Sequence, residues 1–257
     1  MEDLRYFIPT RGRVGKQLTL QNLPKSLHPL VTLVCPEEEV EAHRAEWPDV
    51  QVMCQPHGIT TIGAKREWIY KYLAQDVWFA WQLDDDLIFK VLDGTTKTFR
   101  KPQSESLYAN AFAYIHEQYF VREAYQVIGL GTSYFAPKGG IKPNYHLGFA
   151  FGFSRLARRR LEMNRMDVFE DIDYTLQVLR KGIKNGVCYD VVVDQKQPDA
   201  PGGVTGERSE ETIRRDLAKL IELHPGIVSE KPRRPGAHPA AITKVLWARA
   251  AKEGGLR

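Results

Sequence analysis

Three consecutive carboxylates, Asp84 to Asp86, interrupt a strongly apolar stretch of this chain. They follow the segment VWFAWQL at 77–83 and precede LIF at 87–89. A short apolar run rich in aromatic residues predicts a strand that is covered on both faces. Adjacent carboxylates repel one another in a low-dielectric setting. Oxygen ligands suit a hard divalent ion, so the pattern favours Mg²⁺ or Mn²⁺ over the alternative, a solvated acidic turn.

The composition allows one ordinary α/β domain. The chain has 257 residues, 43% of them hydrophobic, and a formal net charge of +4, which is compatible with a polyanionic partner. Cys35, Cys54 and Cys188 are scattered without CxxC spacing, which argues for reduced thiols and against a disulfide framework or zinc site. No signal-peptide pattern and no 18-residue apolar stretch is present, so we expect a soluble, cytoplasmic protein that does not interact with a membrane.

Strands alternate with helices in the first part of the chain, which predicts parallel βαβ units. The predicted strands are 4–8, 31–35, 50–53, 77–83, 127–130, 146–153 and 187–193. The predicted helices are 37–47, the segment from 63 to 73, 107–125, the segment from 167 to the glycine at 182, 209–223 and 240–252. Residues 135–143 are expected to form a loop.

Two basic segments lie at the ends of predicted elements, one after the first strand and one at the start of a helix. Thr10-Arg11-Gly12-Arg13 comes directly after Pro9 at the end of the first strand, where a guanidinium suits a phosphate. Lys65 and Arg66 lie near the start of a helix, where the macrodipole favours an anion. A plain surface turn and an ordinary basic helix start remain the alternatives.

Two later segments are also candidates for a site. An acidic cluster at 167–173 opens a helix, and simple helix capping is the alternative. The segment Pro201-Gly202-Gly203 can present backbone N–H groups to an anion, and Arg208 could contact the same anion or be a routine surface residue.

Together these parts resemble a GT-A glycosyltransferase. Asp84 and Asp86 match that fold's DxD motif, and Glu170-Asp171 matches its xED motif. The segment 63–66 is similar to the helix start that faces the donor diphosphate in these enzymes. Within the fold, the chain resembles the TET-associated glycosyltransferases of bacteriophages, relatives of the kinetoplastid base J glucosyltransferase. The segments that carry this resemblance are FIPTRGR at 7–13, QLDDD at 82–86, FED at 169–171 and PGG at 201–203.

The resemblance implies a single-domain α/β fold of GT-A type, a Rossmann-like mixed sheet flanked by helices. Its core would span 1–208, with a nucleotide-sugar half at 1–92 and an acceptor half at 93–208, followed by a basic helical extension at 209–257. The implied reaction is transfer of a hexose from a UDP-sugar to 5-hydroxymethylcytosine, or another hydroxymethylpyrimidine, in phage DNA. The implied donor-site residues are Pro9, Thr10, Arg11, Arg13, Gly63, Lys65, Arg66, Asp84, Asp85, Gly202, Gly203 and Arg208.

The resemblance also implies a metal site and a base. Mn²⁺ or Mg²⁺ would bind Asp86 and Asp84. Many GT-A enzymes supply a third ligand, often His, after the strand that follows the acidic helix. Here that strand ends in Asp194-Gln195-Lys196, so we expect Asp194 as the third ligand, with His224 or water as alternatives.

Asp171, beside Glu170, would be the general base of an inverting reaction. Its pKa is expected to be raised by burial, by Glu170 and by Asp173. Tyr145, His146 and Phe149 would shape the acceptor site. The basic residues beyond Lys231 would contact a DNA backbone.

Three other functions fit parts of the pattern. A GT-A transferase could act on a protein or glycan hydroxyl instead of DNA. A nucleotidyltransferase shares the α/β core and metal carboxylates, but the first strand here lacks a Gly-rich loop with Lys. A non-catalytic DNA-binding module could retain a relic nucleotide-sugar site, although both acidic motifs are present.

Overall fold

A computed structural model describes residues 3–93, 95–96, 98–102, 104–135, 139–195, 209–233 and 241–256. Among these residues the strands of the main sheet are β1 (Leu4–Pro9), β2 (Val31–Cys35), β3 (Gln51–Cys54), β4 (Phe79–Leu83), β5 (Leu87–Leu92), β6 (Phe99–Arg100), β7 (Val127–Gly131), β8 (Ile141–Pro143), β9 (Ala150–Ser154) and β10 (Asn185–Gln195). A separate antiparallel pair consists of β11 (Val228–Glu230) and β12 (Thr243–Val245). The strand order of the main sheet is β3-β2-β1-β4-β9-β7-β10-β5-β6, with β8 paired to β10.

Helices cover this sheet. The described α-helices are α1 (Leu18–Asn22), α2 (Val40–Glu46), α3 (Ile62–Trp68), α4 (Glu105–Ile115), α5 (Arg155–Arg158), α6 (Glu170–Arg180), α7 (Glu210–Leu223) and α8 (Trp247–Glu253). Helices α3 and α4 continue as wider π-helical turns over Ile69–Leu73 and His116–Arg122. The Thr61 hydroxyl caps α3 by accepting a hydrogen bond from the Ala64 N–H at 3.3 Å.

The N-terminal half is the parallel part of the sheet. Strand β1 pairs in parallel with both β2 and β4, and β2 pairs in parallel with β3. Parallel strands end at the same edge, so the residues that follow β1 and β4 come together there. Strand β9 then runs antiparallel to β4 and makes the sheet mixed. The expected parallel βαβ units and mixed α/β sheet are therefore confirmed.

Of the strand expected at 77–83, residues Phe79–Leu83 form β4 and are covered on both faces, whereas Trp78 precedes the strand and is exposed. Side chains of a strand alternate between its two faces. Trp81 and Leu83 pack in one buried cluster with Tyr6 and Ile8, whereas Ala80 packs in a second cluster with Phe151 and others. Strand β4 therefore lies in the middle of the core and carries Asp84 to Asp86 at its end.

The C-terminal part differs from its predicted secondary structure. A helix was expected over 240–252, but β12 forms first and α8 begins at Trp247. The β-branched residues Ile242, Thr243 and Val245 favour the strand, and the Lys231 N–H closes the pair on the Ile242 carbonyl at 2.7 Å. Residues of α6, α7 and α8 then share a third buried cluster, which includes Leu176, Leu179, Ile213, Leu217, Leu220, Ala250 and Ala251.

Two boundaries between residues 93 and 208 also differ. The expected loop at 135–143 contains β8, which pairs antiparallel with β10. The strand expected at 146–153 begins only at Ala150, because Gly148 has a positive φ of 73° that interrupts an extended chain. In the described part of the chain, no helix is both long and apolar enough to cross a membrane.

Candidate active site

Arg66 joins two acidic segments that are far apart in the sequence. Its Nη2 donates to Asp84 Oδ1 at 2.6 Å, and its Nη1 donates to Glu170 Oε1 at 2.8 Å. The Arg66 side chain is buried, and its guanidinium lies 5.2 Å from the centre of the Phe151 ring. The start of α3, the end of β4 and the start of α6 therefore meet at one edge of the sheet.

Asp84 and Asp86 keep an excess of negative charge at this edge. Burial raises the pKa of Asp84, and the Asp86 charge raises it further, although Arg66 opposes both effects. Burial also raises the pKa of Asp86, whose Oδ1 accepts a hydrogen bond from Gln195 Nε2 at 3.2 Å. A cation near these two carboxylates would relieve both effects.

The carboxylate oxygens of Asp84 and Asp86 fit a divalent ion that takes its other ligands from a substrate and from water. Within the described residues, no group of three or more His, Cys, Asp and Glu side chains is arranged to hold a metal ion. Mg²⁺ is commonly bound by one or two carboxylates together with substrate phosphates and water. Asp84 and Asp86 therefore match the protein share of such a site.

Asp85 points away from its two neighbours, towards the loop after β1. Its Oδ2 accepts a hydrogen bond from Thr10 Oγ1 at 2.7 Å, and its Oδ1 lies 3.5 Å from Arg13 Nε. Thr10 Oγ1 in turn accepts from Gln17 Nε2 at 2.6 Å. Burial raises the pKa of Asp85 to about 6. In the structure, Asp85 therefore anchors the loop that contains the predicted donor contacts.

Lys65 also contacts the loop after β1. Its Nζ donates to the Thr10 carbonyl at 2.8 Å, and burial lowers the pKa of Lys65 to about 8. Arg11, by contrast, is exposed at the surface of the loop, and Pro9 ends β1 beside Val34 of β2. Gly63 lies against the backbone at 163–166, where an added Cβ would be 2.8 Å from the Met163 carbonyl.

Lys65 and Arg66 both have partners within the protein. The two cations at the start of α3 were explained by a docked anion, but in the structure Arg66 contacts protein carboxylates and Lys65 a backbone carbonyl. Contact of these residues with a donor diphosphate stays a prediction. Gly202, Gly203 and Arg208 lie outside the described residues.

Asp171 lies in the first turn of α6 and faces His146. Its Oδ2 is 3.2 Å from His146 Nε2, and its Oδ1 accepts a hydrogen bond from the Ile172 N–H at 2.8 Å. We expected a raised pKa. Burial does raise the pKa of Asp171, but His146 and Arg66 outweigh it and hold the pKa below its usual value. The expected direction was therefore wrong.

Asp173 belongs to a separate buried network. It pairs with Arg165 and with His224, whose Nε2 lies 2.8 Å from Asp173 Oδ1. His224 also lies 3.2 Å from Arg180 through its Nδ1. Both ring nitrogens of His224 therefore have protein partners, which argues against the alternative that His224 is a third metal ligand.

The end of β10 presents Gln195, not Asp194, to Asp86. Asp194 Oδ2 accepts hydrogen bonds from Lys90 Nζ at 2.6 Å and from Ser133 Oγ at 2.8 Å. Asp194 as a third metal ligand stays a prediction, and it would require these contacts to rearrange. Gln195 was missed because a neutral amide has no distinctive sequence signal.

Two further contacts were not predicted. Gln82 Nε2 donates to the Arg66 carbonyl at 2.9 Å and ties β4 to α3. The Trp247 ring of α8 stacks on the His146 ring, with centroids 5.1 Å apart and an interplanar angle of 26°. A residue from the C-terminal part of the chain thus contacts His146, which was predicted to shape the acceptor site.

The mixed sheet with two acidic motifs at one edge is the fold of the GT-A glycosyltransferases. Staphylococcus aureus TarS 1–349 in complex with UDP-GlcNAc matches with a TM-score of 0.55 and 12% identity, over 85% of this chain and 66% of that chain. Its complex with UDP matches with a TM-score of 0.51 and 12% identity, over 85% and 65%. This chain therefore spans slightly less than two thirds of TarS 1–349, and at this identity the likeness shows the fold alone.

A family model matches most of this chain. The model of the TET-associated glycosyltransferases matches residues 5–203, and this chain belongs to that family. The β-glucosyl-HMC-α-glucosyl-transferase of Enterobacteria phage T6 is 21% identical over 238 residues, which cover 86% of this chain and 81% of the phage protein. The resemblance inferred from the sequence is confirmed, and the protein is a glycosyltransferase.

Replacing Arg66 should destabilise the protein strongly. Arg66→Met leaves the partly buried Asp84 carboxylate and the buried Glu170 carboxylate without this guanidinium, and breaking a buried ion pair costs about 3–5 kcal/mol. Arg66→Lys should recover only part of the loss, because an ammonium lacks the planar fork that reaches both carboxylates. Urea unfolding at neutral pH measures both losses.

The matched control is Lys71→Met in the next turn. It removes an exposed ion pair between Lys71 Nζ and Glu67 Oε1, 2.6 Å apart, and should cost less than about 1 kcal/mol. Similar losses for Arg66→Met and Lys71→Met would contradict the central position of Arg66.

Lys65 should make stability depend on pH in the alkaline range. Its folded pKa of about 8 lies below the value of an unfolded lysine, so the unfolded chain binds more protons between these values and stability rises with pH. Relative to Lys65→Met, the wild type should gain about 3 kcal/mol between about pH 8 and 10.5. Urea unfolding across this range checks the difference. Lys16→Met, which removes an exposed lysine, controls for net charge, and parallel curves for wild type and Lys65→Met would refute the prediction.

Proposed function

We propose that this enzyme is a metal-dependent hexosyltransferase that moves a sugar from a UDP-sugar to 5-hydroxymethylcytosine in phage DNA. The observation that carries the proposal is the Arg66 contact with Asp84 and Glu170, because it brings the DxD and xED segments into one site. The family match and the T6 relative support the acceptor, since that relative's name contains hydroxymethylcytosine as HMC.

The proposed donor site lies between the loop after β1 and the end of β4. The UDP and UDP-GlcNAc complexes of TarS support a UDP-sugar as donor. Arg11 and Arg13 would contact its phosphates, together with Gly202, Gly203 and Arg208. Asp84 and Asp86 would hold Mn²⁺ or Mg²⁺, with Asp194 as the proposed third ligand. When bound, the ion would neutralise negative charge on the leaving diphosphate.

Asp171 would accept the proton from the acceptor hydroxyl as the hydroxyl oxygen attacks the sugar. Its lowered pKa keeps the carboxylate ionised at neutral pH, which a base requires, although a weak base provides little driving force by itself. Deprotonation can therefore follow the development of positive charge on the sugar. Attack from the face opposite the diphosphate would invert the anomeric centre.

The acceptor would enter beside Tyr145, His146 and Phe149. A hydroxymethyl group on cytosine projects into the major groove, so it is accessible without full extrusion of the base. Exposed basic side chains near the C-terminus would contribute salt-dependent contacts to DNA phosphates, namely Lys231, Arg233, Lys244, Arg249 and Lys252.

Sugar transfer should require both a UDP-sugar and hydroxymethylated DNA. We expect wild-type protein with Mn²⁺ to add one hexose or N-acetylhexosamine mass to the modified nucleoside, measured by mass spectrometry across a panel of UDP-sugars. The DNA panel should carry hydroxymethylcytosine with and without a β-glucosyl group, because the T6 relative's name contains β-glucosyl-HMC. Acceptance of glucosylated DNA alone would move the acceptor from the base substituent to the attached sugar.

Asp86→Asn separates the metal site from general inactivity. It should abolish transfer and remove the increase in UDP affinity that Mn²⁺ causes, measured by titration calorimetry without any acceptor. Unchanged Mn²⁺-dependent UDP binding would refute the metal assignment. Transfer to a glycan but not to DNA, without a steep salt dependence, would refute the DNA acceptor.

Asp171→Asn should lower kcat by about 10²–10⁴-fold with little change in UDP affinity. Asp167→Asn is the matched control, because it alters a partly exposed acid close by that pairs with Arg215. NMR of the product linkage reports the anomeric outcome. Wild-type kcat in Asp171→Asn would refute the base, and retention of configuration would refute the proposed in-line inversion.

A further inference from the structure

The C-terminal helix α8 reaches the acidic start of α6 through one aromatic residue. The Trp247 ring stacks on His146 at 5.1 Å, and His146 Nε2 lies 3.2 Å from Asp171 Oδ2. Trp247 lies outside residues 5–203, the part that the family model matches. The contact therefore links a segment beyond the family match to the proposed base.

Helix α6 fixes the position of α8. Ala250 and Ala251 of α8 are buried in the same cluster as Leu176 and Leu179 of α6. At the other end of α8, Gly254 lies so close to α6 that an added Cβ would be 1.9 Å from the Leu179 carbonyl oxygen. Since α6 also carries Asp171, the distance between Trp247 and Asp171 is set by helix packing.

His146 lies on an irregular segment outside the helices and strands. It lies between Asn144 and Gly148, which both have positive φ, and its side chain is 29% exposed. A side chain can occupy one of a few staggered rotamers, and the backbone conformation alone does not select one for His146. The stacked indole covers one face of the ring and so favours the rotamer that meets Asp171.

We propose that Trp247 is a positioning residue that holds His146 against Asp171. The inference rests on the proposed function, in which Asp171 is the base. Ile172 N–H holds one carboxylate oxygen of Asp171, and His146 lies at the other. Loss of the indole would release His146, and Asp171 would then lose the neighbour that orients its second carboxylate oxygen.

The contact itself can be tested without any activity assay. In NMR spectra of the full chain, the ring protons of His146 are assigned by their absence in His146→Gln. Trp247→Ala should shift these resonances, because the ring current of the indole is lost, whereas Trp247→Phe should preserve part of the effect. Leu246→Ala removes the neighbouring, 41% exposed side chain and should leave them in place. An unchanged His146 resonance in Trp247→Ala would overturn the proposal.

The catalytic consequence is tested by kinetics on the same variants. Trp247→Ala should lower kcat by about tenfold to a hundredfold with little change in the KM for the donor, while Trp247→Phe recovers most of the loss. Urea unfolding identifies any variant that fails to fold. If Trp247→Ala fails to fold, the kcat of Trp247→Phe tests the positioning role instead. A kcat within about twofold of wild type in folded Trp247→Ala would overturn the positioning role.

Failure of the proposed function gives a different pattern. If Asp171→Asn transfers sugar at the wild-type rate, the base assignment fails and the catalytic role of Trp247 fails with it, while the NMR shift still reports the stacking. If Asp171→Asn and His146→Gln are both impaired but Trp247→Ala is not, the base stands and the inference about Trp247 is wrong.

Discussion

The site depends on one buried cation held between two carboxylates. Taking a guanidinium out of water is costly, and the cost is offset when geometry is good and hydrogen bonds are made. Arg66 meets both conditions, with contacts of 2.6 Å to Asp84 and 2.8 Å to Glu170. Because α3, β4 and α6 each contribute one member, displacement of any of them breaks a charged contact. The proposed donor and acceptor motifs are therefore fixed relative to each other by a single residue.

In the acidic triplet, the turn between β4 and β5 directs adjacent carboxylates to different partners. Asp84 faces Arg66, Asp85 faces Thr10 and Arg13, and Asp86 faces Gln195. Three carboxylates with separate partners are tolerated where three that share one pocket would not be. At the end of β10, the alternation of side chains along the strand separates two neighbours in the same way: Asp194 contacts Lys90, and Gln195 contacts Asp86.

The sequence was sufficient to predict the fold class, the family and most strands and helices, because these follow from apolar periodicity and from ordered motifs. It could not assign partners to individual side chains. The pKa direction of Asp171 depends on His146, and its neighbours in the sequence, Glu170 and Asp173, indicated the opposite sign. Asp194 and Gln195 are adjacent in the sequence, so only strand register decides which of the two side chains reaches Asp86. The Trp247 stack joins residues about one hundred positions apart, and no local pattern indicates it.

The start of α6 shows why the C-terminal part matters to the acidic motif. Phe169 precedes Glu170 with φ 67°, a left-handed conformation that a non-glycine residue adopts at a cost of roughly 1–2 kcal/mol. Such strain persists when surrounding contacts fix the backbone. Asp216 of α7 accepts hydrogen bonds from the Asp167 and Val168 N–H groups, both at 2.8 Å, and His224 pairs with Asp173. Residues beyond the family match thus stabilise the turn that presents Glu170 to Arg66 and Asp171 to His146.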